Sequence, residues 1–348
     1  ETGIDIPSGM FADQSSTGIS INTNKVYSFQ LPKLAFLLPE NENQISKWYL
    51  VDIGLSINAI ASTSCNHFFV TEKDVQPLFI DRNKFSHKGT FGHLLLIAGS
   101  EGKIGAAILS AKAAMRSGTG LLTTFLSKKY IPTMQMAFPE AMCWSENKDK
   151  LIESIAKGKY NSIAIGPGLG LNLKTTELFA AIIKATPFPI VVDADGINIL
   201  AKNPQLLHEL PSNSILTPHP GEFKRLVGEW KNDFEKLKML QEFALKYQLN
   251  IVLKGAYTCI CDTSGKYYFN STGNNGMATA GSGDTLTGII AGLLAQNYPP
   301  KDAAILGVYL HGLAGDLAIR NSHPAALIAS DISSNLGAAF AFIDKRNN

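Results

Sequence analysis

The segment Ala280-Gly281-Ser282-Gly283-Asp284 places small residues and one carboxylate directly before the apolar run 285–294. Small side chains allow successive backbone N–H groups to converge, and a helix N-terminus adds roughly half a positive charge, so we expect an anion-binding site. A carboxylate has a role there if Asp284 removes a proton from a hydroxyl while the amides hold a phosphoryl group in transit. The alternative is that Asp284 only caps the helix, since aspartate favours that position. No GxxxxGK[ST] motif is present, which excludes a P-loop nucleotidase.

Two further clusters follow apolar runs that read as strands. Lys254 and Gly255 end the run IVL, where a backbone can approach a nucleotide closely, although a plain strand-to-turn joint is the alternative. Asp193 and Asp195 lie in VVDADG (191–196). Either carboxylate could serve a metal or phosphate site from the outer shell, and Asp195 could instead cap the next helix.

A third cluster, TPHPGE (217–222), holds His219 between two prolines. Proline fixes φ, so His219 lies on a stiff loop that suits ligand binding, although a single histidine is more often structural. Glu222 then begins a helix, where a carboxylate is favoured electrostatically. No His/Cys set has the spacing of a zinc site.

The elements that must position these clusters alternate between strand and helix from residue 87 onward, which indicates a parallel sheet covered on both faces. Ligands bind beyond the carboxyl ends of such strands, where these clusters fall. The predicted strands and strand–turn units are 93–100, 120–127, 162–170, 189–200, 214–228 and 250–270, and the predicted helices are 105–118, 175–185, 234–248, 285–294, 301–320 and 330–343.

Composition sets the limits of the function. The 348 residues predict roughly two domains, and 45% apolar residues suffice for a large core. A charged fraction of 17% and a net charge of +2 argue against a disordered chain and against a basic nucleic-acid binder, and no apolar run is long enough for a membrane span. More than half of the 30 glycines lie in the windows 89–120, 166–170 and 273–292, which indicates close backbone approach. We interpret the four cysteines, which form no CxxC pair, as buried apolar residues.

Residues 1–58 predict three strands: one followed by a turn within 4–9, one followed by a proline-containing loop within 25–40, and one at 48–56 that is apolar enough for a buried position. Helices do not accompany these strands, and the first residues read as the middle of a strand, so we expect the chain to begin inside a domain. Residues 59–86 are irregular and polar in patches, which is typical of a linker.

Six motifs together resemble the NAD(P)H-hydrate dehydratase family. They are HKGTFGHLLLIAGSEGKIGAAILSAKAAMRSGTG (87–120), GPGLG (166–170), VVDADGINIL (191–200), LTPHPGEF (216–223), KGAYT (254–258) and NNGMATAGSGDTLTGIIAGLLA (274–295). The resemblance implies a ribokinase-like three-layer α/β/α fold with a mostly parallel central sheet over residues 63–348. It also implies nucleotide-dependent dehydration of hydrated NADH or NADPH.

The resemblance also implies roles for individual residues. Asp284 would be the catalytic base and would contact the hydrated nicotinamide together with Ala106, Gly168 and His219. The adenine nucleotide would be held by Lys254, Gly255, Ala256, Tyr257, Thr258, Gly281, Ser282 and Gly283. ADP or ATP would be the co-substrate, with ADP favoured, and Mg²⁺ would assist through ligands that remain unknown. The family further implies a cytoplasmic homo-oligomer, possibly a tetramer.

Residues 1–62 resemble the C-terminal part of a Rossmann-like NAD(P)H-hydrate epimerase domain and its linker. By this resemblance Asp5 would contact substrate and Ser8 would bind K⁺. The epimerase nucleotide loop is missing, so we expect no epimerase activity from this chain. Two other functions share the same motif around Asp284: a ribokinase-like small-molecule kinase, which would release a stable phosphate ester, and a catalytically silent nucleotide-binding protein.

Overall fold

The computed structural model describes residues 1–145 and 147–344. Its main sheet has the strand order β4-β13-β12-β11-β10-β9-β8-β5-β6-β7. Pairing is parallel throughout except at β12, which runs antiparallel to both β11 and β13. The strands of this sheet are β4 His67–Val70, β5 His93–Ile97, β6 Leu121–Phe125, β7 Met142–Trp144, β8 Ser162–Ile165, β9 Val191–Val192, β10 Ile215–Leu216, β11 Asn250–Leu253, β12 Cys259–Cys261 and β13 Tyr267–Asn270. The predicted mostly parallel sheet is confirmed.

Helices cover both faces of this sheet and divide the core in two. Along β5, Leu94 and Leu96 face one apolar cluster while Leu95 and Ile97 face the other, as the two-residue period of a strand requires. The helices are α1 Ile57–Ser62, α2 Glu72–Val75, α3 Ile104–Arg116, α4 Ile131–Ala137, α5 Lys148–Ala156, α6 Leu173–Ala185, α7 Asp195–Lys202, α8 Pro220–Val227, α9 Asp233–Tyr247, α10 Ser282–Ala295, α11 Pro300–Ala318 and α12 Ala329–Ile343. Helices α3, α10, α11 and α12 cover the first face, and α5, α6, α7 and α9 cover the second. The result is a three-layer α/β/α arrangement.

A small parallel sheet precedes the main one, in the order β1 Thr2–Ile4, β2 Lys25–Phe29 and β3 Trp48–Val51. The three predicted N-terminal strands therefore form, but the expectation that the third is buried is wrong. Along β3, Trp48 is half-buried, whereas Tyr49, Leu50 and Val51 are exposed. Because successive side chains of a strand point to opposite faces, β3 is exposed on both faces beyond Trp48, and apolar composition alone did not predict burial.

The segment between the sheets is more ordered than the linker prediction for residues 59–86. Strand β4 pairs in parallel with β13, and the short helix α2 follows it. The interpretation of the cysteines holds for Cys259 and Cys261, which are buried, but is wrong for Cys65, which is exposed. Among the described residues, no helix is both long and apolar enough to cross a membrane.

The N-terminal segment is attached to the larger core at several points. Leu37 and Leu38 join the apolar cluster that α9 also lines. The backbone N–H of Glu40 donates to the Asp233 carboxylate at 2.8 Å, and the backbone N–H of Asp233 donates to the Glu40 carboxylate in return. These reciprocal bonds satisfy an amide at the start of α9, where the first turn leaves N–H groups without intrahelical partners.

Candidate active site

The anion-binding segment lies at the N-terminus of α10. Gly281 is the N-cap residue with a left-handed φ of 87°, and a Cβ there would come within 2.4 Å of Leu109. The first intrahelical bond runs from Thr285 N–H to the Gly281 carbonyl at 3.0 Å. The amides of Gly283 and Asp284 lie in the first turn, which supplies no carbonyl for them. Asp284 occupies the third helical position, so the alternative that it merely caps the helix is wrong.

A buried ion pair stands beside this segment. The Lys254 ammonium lies 2.9 Å from an Asp193 carboxylate oxygen and 3.9 Å from a Glu222 oxygen. Thr287, one turn after Asp284 on α10, donates its hydroxyl to the other Asp193 oxygen at 2.7 Å. Burial alone would lower the pKa of Lys254, but the Asp193 and Glu222 carboxylates outweigh it and raise that pKa above its ordinary value. Lys254 is therefore a fixed cation at the ends of three strands.

Besides burial, the same carboxylates also raise the pKa of Asp284, where their negative charge disfavours the ionised form. Burial, followed by the negative charge of Asp193, raises the pKa of Asp284 to about 6, and Lys254 offsets only part of that effect. A carboxylate with a pKa near 6 accepts a proton more readily than an ordinary aspartate does and is still ionised at neutral pH. These are the properties of a general base.

His219 is held by the start of α8. Its Nδ1 accepts hydrogen bonds from the backbone N–H groups of Gly221 at 3.0 Å and Glu222 at 3.3 Å, and Glu222 accepts from the His219 N–H at 2.8 Å. His219 therefore has a structural role, because its ring caps the N-terminus of α8. Since Nδ1 is an acceptor, Nε2 is the donor atom of the ring; it lies 3.6 Å from a Glu222 carboxylate oxygen, and half of the His219 side chain is exposed.

Two turns predicted to contact substrate lie against each other. A Cβ on Gly168 would be 2.8 Å from the Lys103 carbonyl oxygen and 3.1 Å from the Ala106 Cβ. Asp195 links the two turns by accepting from the Gly170 N–H at 2.8 Å and from the Lys103 ammonium at 3.3 Å. The expectation that Asp195 caps the next helix is wrong, because Ala194 occupies the N-cap of α7 and Asp195 bonds outward.

We call residues 254–258 the nucleotide loop. Thr258 closes it locally, accepting from the Gly255 N–H at 3.3 Å and donating to the Gly255 carbonyl at 3.0 Å. Gly255 and Ala256 are exposed at its tip, while Tyr257 is half-buried. At Gly283 an added Cβ would lie 3.2 Å from the Lys254 ammonium, so the loop and the anion-binding segment share one boundary.

Sequence reasoning missed two supports of the anion-binding segment. His311, in the apolar helix α11, lies with its Nε2 3.0 Å from the Ser282 carbonyl oxygen. Burial lowers the pKa of His311 to about 4, so the ring is neutral and Nε2–H donates to that carbonyl. Ser110 on α3 donates its hydroxyl to the Asp284 carbonyl at 2.8 Å. A single histidine inside an otherwise apolar run was the available signal for His311.

The predicted epimerase residues lie apart from this site, in the small sheet. Asp5 accepts from the Phe29 N–H at 3.0 Å and pairs with the Lys33 ammonium at 2.9 Å. Ser8 is exposed in the turn after β1. Cavity size does not identify the site either: a cavity of about 940 Å³ lies at the far end of α10, beside Arg82 and Gln296.

The described residues do not form a ready-made magnesium site. No group of three or more His, Cys, Asp or Glu side chains within them could hold a metal ion. The carboxylates of Asp193 and Glu222 face Lys254, which already supplies the positive charge between them. Mg²⁺ commonly binds through one or two carboxylates, water and substrate phosphates, so this arrangement fits only an ion that arrives with a nucleotide.

Comparisons with known proteins agree with this geometry. A family model described as NAD(P)H-hydrate dehydratase matches residues 94–337. The bifunctional NAD(P)H-hydrate repair enzyme of Moorella thermoacetica is 37% identical over 343 residues, which cover 94% of this chain and 64% of that protein. The chain therefore spans less than two thirds of that relative's length.

Solved structures match the same part of the chain. The ADP/ATP-dependent NAD(P)H-hydrate dehydratase of Bacillus subtilis, co-crystallised with ATP/Mg²⁺, is 36% identical with a TM-score of 0.71, covering 80% of this chain and 100% of its own. A ribokinase-like superfamily protein from Enterococcus faecalis is 29% identical with a TM-score of 0.71, covering 81% of this chain and 98% of its own. The fold is ribokinase-like.

Proposed function

The chain belongs to the NAD(P)H-hydrate dehydratase family, and on that premise we propose that it repairs hydrated nicotinamide cofactors. The reaction is the nucleotide-dependent dehydration of hydrated NADH or NADPH, which returns the reduced dinucleotide and releases phosphate. The observation that carries the proposal is the Asp284 carboxyl, with its pKa raised to about 6, in the first turn of α10 beside the Lys254 ammonium.

Asp284 takes the proton from the hydroxyl on the hydrated ring, and the hydroxyl oxygen attacks the terminal phosphorus of the nucleotide. The bond from that phosphorus to the bridging oxygen breaks, so ADP leaves as AMP, or ATP as ADP. Backbone amides of the first turn of α10 and the Lys254 ammonium stabilise the charge that develops on the phosphoryl oxygens.

The phosphorylated ring then loses phosphate. The lone pair of the ring nitrogen forms a double bond to the carbon that carried the oxygen and expels phosphate with the bonding electrons. Loss of a proton from the neighbouring carbon restores the dihydronicotinamide. No phosphorylated product accumulates, because the transferred phosphoryl group leaves again as phosphate. Its role is to replace hydroxide, a poor leaving group, with phosphate, a good one.

Substrate binding in this proposal uses the two adjoining turns that carry Ala106 and Gly168, with the Nε2 edge of His219 facing the ligand. Residues Lys254 to Thr258 and Gly281 to Gly283 hold the nucleotide, with ADP as the favoured donor. Mg²⁺ would be held by the nucleotide phosphates and would help to neutralise their charge. Homo-oligomer formation, a cytoplasmic location, the boundary after residue 62, and the roles of Asp5 with substrate and Ser8 with K⁺ stay predictions.

The test offers hydrated NADH with ADP and with ATP in separate reactions and follows both the near-ultraviolet absorbance of NADH and free phosphate. We expect both signals to rise together with at least one nucleotide. A stable phosphate ester without recovery of NADH would replace the proposal with a small-molecule kinase. Nucleotide binding with neither product would favour a silent binding protein.

A further inference from the structure

The nucleotide loop is fixed at both of its ends by the main sheet. The Lys254 N–H donates to the Pro218 carbonyl at 2.9 Å, and the Thr258 carbonyl accepts from the Asn270 N–H at 3.0 Å. Between these anchors, Gly255 and Ala256 are exposed and offer no side chain that could hold the loop in place. The Thr258 hydroxyl closes the loop onto Gly255, and Tyr257 is the loop residue whose side chain packs on rings outside the loop.

Tyr257 packs against two aromatic rings, and one of them comes from the small N-terminal sheet. Its ring centroid lies 6.1 Å from that of Trp48 on β3 and 6.5 Å from that of Phe69 on β4. Trp48 in turn lies 5.8 Å from Phe69 in an edge-on arrangement and 6.2 Å from Phe36. Burial raises the pKa of the Tyr257 phenol, and a side-chain hydrogen bond with Trp48 offsets part of that rise.

Tyr257 packs against the second apolar cluster on one side and borders open space on another. A cavity of about 370 Å³ is bounded by Trp48, Phe69 and Tyr257 together with Lys47 and Ser271. The Tyr257 ring could swing into that volume if Trp48 did not face it, and the loop tip would move with the ring. Trp48 also lies outside the residues 94–337 that match the family model, whereas Tyr257 lies inside them.

We propose that Trp48 is a positioning residue for nucleotide binding, acting through Tyr257 on the nucleotide loop. The inference rests on the proposed function only in that residues 254–258 hold an adenine nucleotide. It assigns to the N-terminal segment a role in this site that does not depend on epimerase chemistry.

The experiment measures ADP and ATP affinity by titration calorimetry, without turnover, in four variants: Trp48→Leu, Trp48→Phe, Tyr257→Ala and the double variant Trp48→Leu/Tyr257→Ala. Loss of one aromatic contact predicts a roughly three- to tenfold weaker nucleotide affinity for Trp48→Leu, and Trp48→Phe should restore most of it. In the Tyr257→Ala background, Trp48→Leu should have no further effect, because the route through Tyr257 is already cut. At saturating nucleotide, kcat should stay at the wild-type value while KM rises.

The matched control is Tyr27→Ala. Tyr27 is an exposed aromatic of the same small sheet that stacks on Tyr49 at 5.4 Å; Tyr49 borders the cavity, but the rings that pack on Tyr257 are those of Trp48 and Phe69. Wild-type affinity in Trp48→Leu, an equal loss in Tyr27→Ala, or an additive loss in the double variant would each overturn the proposal. A wild-type chain that binds neither nucleotide would overturn it together with the proposed function. Nucleotide binding without recovery of NADH would remove the dehydratase assignment alone.

Discussion

Two regions of this molecule depart from the usual distribution of side chains: one buries charged residues, and the other exposes apolar residues. The edge of the main sheet buries charged groups, with Asp193 only 1% exposed and Glu222 only 5%. The small sheet exposes apolar side chains, with Ile4 at 72% and Leu50 at 42%. Burying a charge is costly unless the charge is paired or takes part in function, so a buried charge indicates a specific role. An exposed apolar side chain indicates less, because folded surfaces contain many of them. The contrast predicts that substitutions in the first region are costly and that substitutions in the second are tolerated.

The largest effect is expected from Asp284→Asn. The amide keeps the shape of the side chain but cannot accept the proton, so turnover should fall about 10³-fold while nucleotide affinity is retained. Steady-state assays with hydrated NADH, paired with calorimetry, measure both quantities. Glu153→Gln, on the exposed face of α5, is the matched control and should keep wild-type turnover. Near-normal turnover of Asp284→Asn would remove Asp284 as the base.

Lys254→Met should cause the next largest effect, on stability. Removing the ammonium leaves Asp193 and Glu222 without their cation, and breaking a buried pair costs about 3–5 kcal/mol of unfolding free energy. Urea denaturation measures the loss. Adding Asp193→Asn should recover part of it, since one uncompensated charge disappears. Lys157→Met, which breaks an exposed pair with Glu153, should leave the urea midpoint unchanged. Equal losses in the two lysine variants would erase the contrast between buried and exposed charge.

The pH profile sharpens the comparison at Asp284. A general base acts when ionised, so kcat/KM should fall about tenfold per pH unit below its pKa of about 6 and level off above it. After burial, the charge of Asp193 contributes most to the raised pKa, so Asp193→Asn should move the acidic limb to lower pH. The midpoint of the limb, rather than the absolute rate, is the measurement. A limb that stays in place would show that Asp193 does not act on the base through its charge.

The smallest effect is expected in the small sheet. Leu50→Ser replaces an exposed apolar side chain on β3 and should change the unfolding free energy by no more than about 0.5 kcal/mol. Leu95→Ala, at a fully buried position of β5, should cost about 2–5 kcal/mol in the same urea titration. A large loss from Leu50→Ser would mean that the exposed face of β3 is covered in solution.

The pattern of small, apolar and charged residues predicted much of this architecture, because the spacing of apolar residues and the positions of glycine and proline are local properties of a chain. The mostly parallel sheet and the presence of a helix after the glycine-rich segment follow from such patterns, although α10 begins at Ser282, three residues before the predicted start. Pairings between distant segments could not be read in this way. The Lys254–Asp193 ion pair joins residues 61 positions apart, and the Ser282–His311 bond joins two different helices. For Asp195 the sequence left a helix cap and an outer-shell site open; the cap is wrong, and contact with the Gly170 N–H, which the sequence pattern does not show, defines its place.

The exposure of β3 is a second feature that the sequence pattern could not predict. The apolar residues of β3 predict a strand correctly, but burial depends on which element covers the strand, and that element lies elsewhere in the chain. Trp48 became half-buried because Phe69 of β4 and Tyr257 of the nucleotide loop pack on its ring, whereas Tyr49 stacks on Tyr27, which is itself exposed, and remains exposed. Residues of similar hydrophobicity thus end in different environments.

The reciprocal hydrogen bonds between Glu40 and Asp233 bear on how this chain can be divided. A cut after residue 62, where the amino-acid pattern changes, would remove the Glu40 carboxylate that accepts the Asp233 N–H at the start of α9, and would take the side chains of Leu37 and Leu38 from the larger core. The excised C-terminal piece would keep Asp284, Lys254 and His219, but it would lose Trp48 and expose the apolar side chains of the cluster that Leu37 and Leu38 now cover. A boundary that is evident in the amino-acid sequence is therefore not a boundary at which the folded chain can be divided without loss of packing.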